Sequence, residues 1–171
     1  AEVWLVGGDP TVYSSRPSLK IVLKSAEISD FKELTARLSK KPADGAITKA
    51  MVAVKDADGN KVDVEDVTVN KSTVKIKTAK KLAVTGKYTI EIEGMGSQTS
   101  IAGALVRTDA FDKAYAYDGD DLGATFKEAR TGFKVWAPTA TKVELVIYKS
   151  TDPNAEVDKT IDMTGEDKGV W

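Results

Sequence analysis

The chain has 171 residues, 42% hydrophobic and 30% charged, with a formal net charge of −1 at pH 7. That profile suits a globular protein with room for one core or two small ones, and its near-neutrality gives no long-range field for nucleic acid or an anionic membrane. The absence of Cys and His removes disulfides, thiolate nucleophiles, Cys-based zinc sites and the commonest general base, so any catalysis would rest on paired carboxylates, Lys or Tyr.

The opening AEVWLVGGDP has neither a basic n-region nor an apolar h-region, as expected of a mature secreted protein or an excised fragment. No apolar run is long enough to span a bilayer. Residues 1–17 hold a short apolar strand, Val3-Trp4-Leu5-Val6, a turn signal at Gly7-Gly8-Asp9-Pro10, and an extended connector ending at Pro17.

Residues 18–108 read as strand after strand. LKIVLKSAEI, FKELTARLS, TKAMVAVKD, KVDVEDVTV, STVKIKT and KYTIEIEG alternate with turn signals, and Ala57-Asp58-Gly59-Asn60 between two β-branched runs predicts a hairpin. Strands at this spacing predict a β-sandwich. DFKELTARLSKK is compatible with a helical face of Phe31, Leu34 and Leu38. As a strand, Phe31, Glu33, Thr35 and Arg37 would make a poor inward face; its strand neighbours favour a strand.

Residues 109–130 mix aromatics with turn residues. Phe111, Tyr115, Tyr117, Leu122 and Phe126 mark a boundary that packs, unlike a disordered linker. TGFKVWAPTATKVELVIY, residues 131–148, reads as two strands around a corner at Pro138. Phe133, Val135 and Ala137 share one face and Trp136 takes the other. Trp136 is therefore expected to be mostly buried against something other than its own sandwich core, or to offer a flat ring to a sugar.

The acidic knot Asp118-Gly119-Asp120-Asp121 suits calcium by ligand type. It lacks the alternating ligands and distal Glu of an EF-hand loop, and a solvated turn with Asx-type bonds explains it as well. Asp56 and Asp58 are explained by the hairpin. The 26 acidic residues form no local carboxylate pair with aromatics of the kind glycoside hydrolysis needs. Gly7-Gly8 and Gly94-Met95-Gly96 match neither a P-loop nor a dinucleotide fingerprint and read as turns.

The segments LVRTDAFDKAYAYDGDDLGATF and TGFKVWAPTATKVELVIY carry a resemblance. Arg107, Phe111, Tyr117, Asp118, Gly119, Asp121, Leu122, Gly123, Phe133, Val135, Trp136, Ala137, Pro138 and Ala140 match a pattern of the amino-terminal region of type I pullulanases. The Trp-Ala-Pro corner alone is shared with branching and isoamylase-type enzymes; the Tyr-Asp-Gly and Asp-Leu-Gly segments narrow it. The resemblance implies a family 48 carbohydrate-binding module ahead of an α-amylase-type barrel. VWLVGGDPTVYSSRP is similar to the end of a family 41 starch-binding module or its linker, and residues 18–108 to an immunoglobulin-like spacer.

The expected fold is all-β, an immunoglobulin-like sandwich followed by a partial second sandwich, with units at 1–17, 18–108 and 109–171. The resemblance implies noncatalytic modules of a secreted debranching enzyme acting on α-1,6 bonds in pullulan, starch or glycogen. The catalytic acids belong to a barrel that this sequence does not contain, so no catalytic residue is assigned. Trp4, Phe111, Tyr115, Tyr117 and Trp136 are the candidates for interdomain packing, with Trp136 the candidate sugar contact. Asp118, Asp120 and Asp121 are the calcium candidates, although no cofactor is expected for the segment itself, as against the parent enzyme. The expected partners are the remainder of the same enzyme and, weakly, α-glucan. A stand-alone α-glucan-binding module and an immunoglobulin-like adhesive or surface-layer module are the alternatives. Phe133, Val135, Val143, Leu145, Ile147 and Ile161 are expected to line a face short of partner strands, completed by a separate polypeptide, most simply the rest of the enzyme after a cut near Trp171.

Overall fold

The computed structural model describes residues 3–6, 9–13 and 20–171, and for the first two strands it is the backbone pairing that is described. β1 (Trp4–Val6) and β2 (Asp9–Tyr13) pair antiparallel with Trp4 opposite Tyr13. The turn expected at Gly7-Gly8 and the connector to Pro17 lie outside the described residues, as does the side chain of Trp4.

The first unit contains β3 (Leu23–Asp30), β4 (Glu33–Leu38), β5 (Val52–Lys55), β6 (Val64–Asn70), β7 (Thr73–Thr78), β8 (Thr89–Ile92) and β9 (Gly96–Ile101). Their order is β5-β8-β9-β3-β4-β7-β6. β9 is the seam. It pairs antiparallel with β8, Ile90 opposite Gln98, and parallel with β3, Ala26 opposite Ser100. The two arms of this sheet bury one core: Ile28, Leu34, Ala36, Val74 and Ile76 from one, Val54, Ile90 and Ile92 from the other. The all-β expectation holds.

Alternation explains most of these strands. β5 and β7 bury every second residue, the mark of a sheet with one wet face. β4 is a strand, but its inward face is Leu34, Ala36 and Leu38, with Thr35 also buried. The poor face of Glu33 and Arg37 is the outward one. At the predicted hairpin, the Asp56 carboxylate accepts the amides of Asp58 and Asn60 at 3.0 and 2.8 Å, an Asx-type turn. Only Lys55 and Lys61 bridge beyond it before the chain crosses to β6 at the other end of the order. The turn is real, but it joins two arms of the sandwich rather than two paired neighbours.

After β9 comes a 3-10 turn, Ala104–Arg107, and then a helix, α1 (Asp109–Tyr115). The second unit holds two hairpins, β10 (Gly123–Lys127) with β11 (Arg130–Lys134), and β12 (Glu144–Tyr148) with β13 (Val157–Asp162). The two strands read around Pro138 therefore belong to different ladders. Beyond Lys134 the first of them continues against the last residues: Val135 and Trp171 exchange backbone bonds at 3.0 and 2.9 Å, and the Ala137 amide donates to the Gly169 carbonyl at 2.8 Å.

Candidate functional site at the junction of the two units

Helix α1 is built locally before it is packed. Thr108 caps it: its Oγ1 accepts the Phe111 amide at 3.1 Å and donates to the Leu105 carbonyl at 2.8 Å. Asp109 and Asp112 lie in the first turn, where carboxylates complement the helix dipole. Seven residues are too few to hold a helix in water, so docking must sustain it. Leu105 and Phe111 belong to the core of the first unit. Tyr115 packs on Phe111 with ring centroids 4.8 Å apart and on Phe31 at 6.4 Å, and the Lys81 ammonium lies 4.9 Å over the Phe31 ring.

On the other side of the junction stands Trp136. Its indole N–H reaches the Tyr115 carbonyl at 2.9 Å and the Lys168 carbonyl at 3.1 Å. Within this chain Trp136 is 43% exposed with its indole N–H engaged, and its expected burial against a further domain stays a proposal. Beside it, Pro138 and Val170 are buried, and the Trp171 indole N–H donates to the Ala137 carbonyl at 3.2 Å. Gly169 has φ +74°, and a Cβ there would run into Pro138. Only glycine suits both the conformation and the approach. The Trp-Ala-Pro corner is thus held by the Lys168-Gly169-Val170-Trp171 stretch.

The acidic knot is divided among partners. Asp121 accepts the Tyr117 hydroxyl and an ion pair from Lys134 at 2.9 Å, and Lys134 also reaches Glu166 at 3.3 Å. Bonds from Tyr117 and then Lys134 hold the Asp121 carboxyl below its ordinary value. The same bond to Asp121 pushes the Tyr117 phenol up. Asp121, foremost, and then Glu166 keep Lys134 firmly protonated. Asp118 is exposed and 3.9 Å from the Lys168 ammonium, and Asp120 is exposed. Among the described residues, no group of three or more His, Cys, Asp or Glu is placed to hold a metal ion. The three calcium candidates do not converge; a lysine takes the place at Asp121 that a cation would need.

Of the packing candidates, the structure brings Phe111, Tyr115 and Trp136 together and sets Tyr117 one step away on the Asp121–Lys134 network. Sequence reasoning missed Thr108, Lys134, Glu166, Lys168 and Gly169. Thr108 carried a signal, since a Thr ahead of Asp-Ala-Phe-Asp has the form of a helix cap. The others act through partners far away in the chain, which single-sequence patterns do not reveal.

The two hairpins leave a groove of about 350 Å³ lined by Phe133, Leu145, Ile161, Met163 and Trp171, with Lys134 and Glu166 at its side. Phe133, Val135 and Ile161 are 39%, 40% and 43% exposed. Of the predicted apolar face, these three are exposed, while Val143, Leu145 and Ile147 are half-buried within this chain.

Residues 121–171 match the family carbohydrate-binding module 48 (isoamylase N-terminal domain). A pullulanase of Bacillus subtilis (strain 168) is 45% identical over 69 residues, 40% of this chain and 9% of that protein. Pullulanase A of Streptococcus pneumoniae serotype 4 is 30% identical over 116 residues, 66% of this chain and 8% of that protein. The crystal structure of a pullulanase from Anoxybacillus sp. LM18-11 superposes with a TM-score of 0.62 at 31% identity, over 86% of this chain and 21% of that one. The chain is similar to a region of pullulanases, and its residues 121–171 carry the module 48 match. The matched part of the chain spans less than a tenth of the length of the curated relatives. A pullulanase from Bacillus acidopullulyticus shares the fold at a TM-score of 0.72 and 16% identity. The second unit carries the module 48 match, and the junction built from Tyr115, Tyr117, Asp121 and Trp136 lies at its start.

Proposed function

We propose that this region is a scaffold in a secreted glycoside hydrolase whose separate catalytic barrel cleaves α-1,6 bonds in pullulan, starch or glycogen. Its task is to hold that barrel in place, with weak contact to α-glucan at most. The observation that carries the reading is the module 48 match over residues 121–171, joined to an apolar groove that this chain leaves open. Burial of apolar surface is worth roughly 25 cal/mol per Å², so a face of Phe133, Val135 and Ile161 favours a cover. Further strands of the same protein, continuous or supplied as a cleaved chain, are the simplest cover. A polymeric substrate too large to enter a cell supports an extracellular location. A related Anoxybacillus pullulanase is complexed with maltotetraose, which supports α-glucan as the substrate class.

Two assays test this. Purified residues 1–171 should release no reducing ends from pullulan; activity that survives purification and disappears when an acid in the chain is replaced overturns the scaffold reading. In pullulan-containing native gels the chain should run nearly as in a plain gel. Strong retardation, lost in Trp136→Ala, would instead favour a glucan-binding module that works by itself.

A further inference from the structure

The link between the two units is fastened at both ends. Upstream, the Ala104 amide donates to Glu27 Oε2 at 3.1 Å, and Gly103 lies against Glu27 so closely that a Cβ would collide with it. Along its length, Leu105 and Phe111 are buried at 0% and 3% exposure. Helix α1 therefore moves with the first unit. At its downstream end the last carbonyls lack partners within the helix. One of them, at Tyr115, accepts the Trp136 indole N–H, which also reaches the Lys168 carbonyl. Trp136 and Lys168 sit on the two antiparallel segments that bridge at Trp136 and Val170. One N–H thus ties the end of α1 to both of these segments in the second unit. Trp136 is 43% exposed, so packing of the ring accounts for only part of its placement; the donor at its edge meets both units.

We propose that α1 is a rigid coupler and that the Trp136 N–H is the positioning contact that fixes the angle between the immunoglobulin-like unit and the module that follows. This deepens the scaffold reading, because a module that positions a barrel must itself hold an orientation. Small intrachain interfaces leave relative motion as the default. One ordinary hydrogen bond shifts a docked-to-undocked equilibrium by about two- to ten-fold. Around Trp136 the Tyr117–Asp121–Lys134–Glu166 network ties the connecting segment to the second unit, so the free length between α1 and that unit is short.

The absence of native Cys allows clean spin labelling. Labels on Cys introduced at the exposed positions Lys87 and Ser150 report across the junction, and labels at Lys40 and Lys87 report within the first unit. The chain should give one narrow distance distribution across the junction. Trp136→Phe keeps a ring and loses the donor; the benzothiophene isostere of Trp136 keeps the shape as well. Both should shift or broaden the cross-junction distribution and leave the within-unit distance unchanged. A Gly-Ser insertion after Ala116 supplies the uncoupled reference. If Trp136→Phe unfolds the second unit, the shape-matched isostere decides. An unchanged distribution in the isostere, or a parent chain already as broad as the insertion reference, overturns the proposal. The readout is an orientation inside this chain, so it fails or stands separately from the debranching reading, which the pullulan assays test.

Discussion

Replacing Phe111 by Ala strikes the point at which the junction helix enters the core. The side chain is 3% exposed and packs against Tyr115 at a ring-centroid distance of 4.8 Å. A phenylalanine buries about 150–250 Å², which at about 25 cal/mol per Å² corresponds to about 4–6 kcal/mol of transfer free energy. Ala retains part of this and the site relaxes, so the expected loss is about 3–5 kcal/mol. That is a large share of the ~5–15 kcal/mol typical of a domain. With a urea slope of about 2 kcal/mol/M, the midpoint falls by about 2 M. Urea titration followed by far-ultraviolet circular dichroism measures this. Phe126→Ala is the control, because Phe126 is 81% exposed and should move stability by no more than about 0.5 kcal/mol. If the two substitutions cost the same, α1 is an ornament on the sandwich and the reasoning about the junction fails.

Other consequences follow from the same geometry. Gly103→Ala should cost about 1–3 kcal/mol by forcing its new methyl into Glu27, and a melting temperature within error of the parent would contradict the close approach. Gly169→Ala should be destabilising by at least the ~1–2 kcal/mol of a left-handed L-residue, and amide exchange at Val135 and Ala137 should speed up selectively; uniform exchange rates would sink this. The Asp121 carboxyl is held below its ordinary value of 3.8, so its contribution is complete above that pH and is lost as pH falls through the lowered value. The Tyr117 ring resonances should therefore titrate with Asp121 below pH 3.8; a midpoint at or above it would show that the network does not form.

What the sequence reveals and what it hides divides along physical lines. β5, β7 and β8 were legible because one face of each is apolar and the other polar, β4 only through its strand neighbours, and the Asp56–Asn60 turn because its bonds are local. β9 was not. Its sequence Gly96–Ile101 is GSQTSI, and its one buried residue is Ser100. That strand is specified by partners: the Tyr88 amide donates to Ser100 Oγ at 3.2 Å and the Ser100 amide to the Tyr88 carbonyl at 2.7 Å. The 131–148 stretch showed its faces but not its pairing. Alternation says which side chains share a side, while the partners at residues 157–162 and 169–171 are chosen by tertiary context. At the candidate site, Phe111, Tyr115 and Trp136 stood out as aromatics near a boundary. That Trp136 joins Tyr115 through an N–H to its carbonyl, rather than through a ring face, could not be read from the sequence.

The seam strand β9 also sets a timetable for synthesis. Gln98 on β9 bonds to the Leu23 carbonyl at the start of β3, 75 residues earlier. At about 5–20 residues per second, β3 waits roughly 4–15 s for its neighbour. Until then β3 and β8 each lack a neighbour that β9 provides, and an unpaired edge invites adhesion to other chains. The early half of this module is thus a client for whatever shields emerging polypeptide. Ribosome-bound chains stalled just before Gly96 should be cut readily by protease, and those extended well past Tyr115 should resist; equal resistance at both lengths would mean that the sandwich closes without its seam.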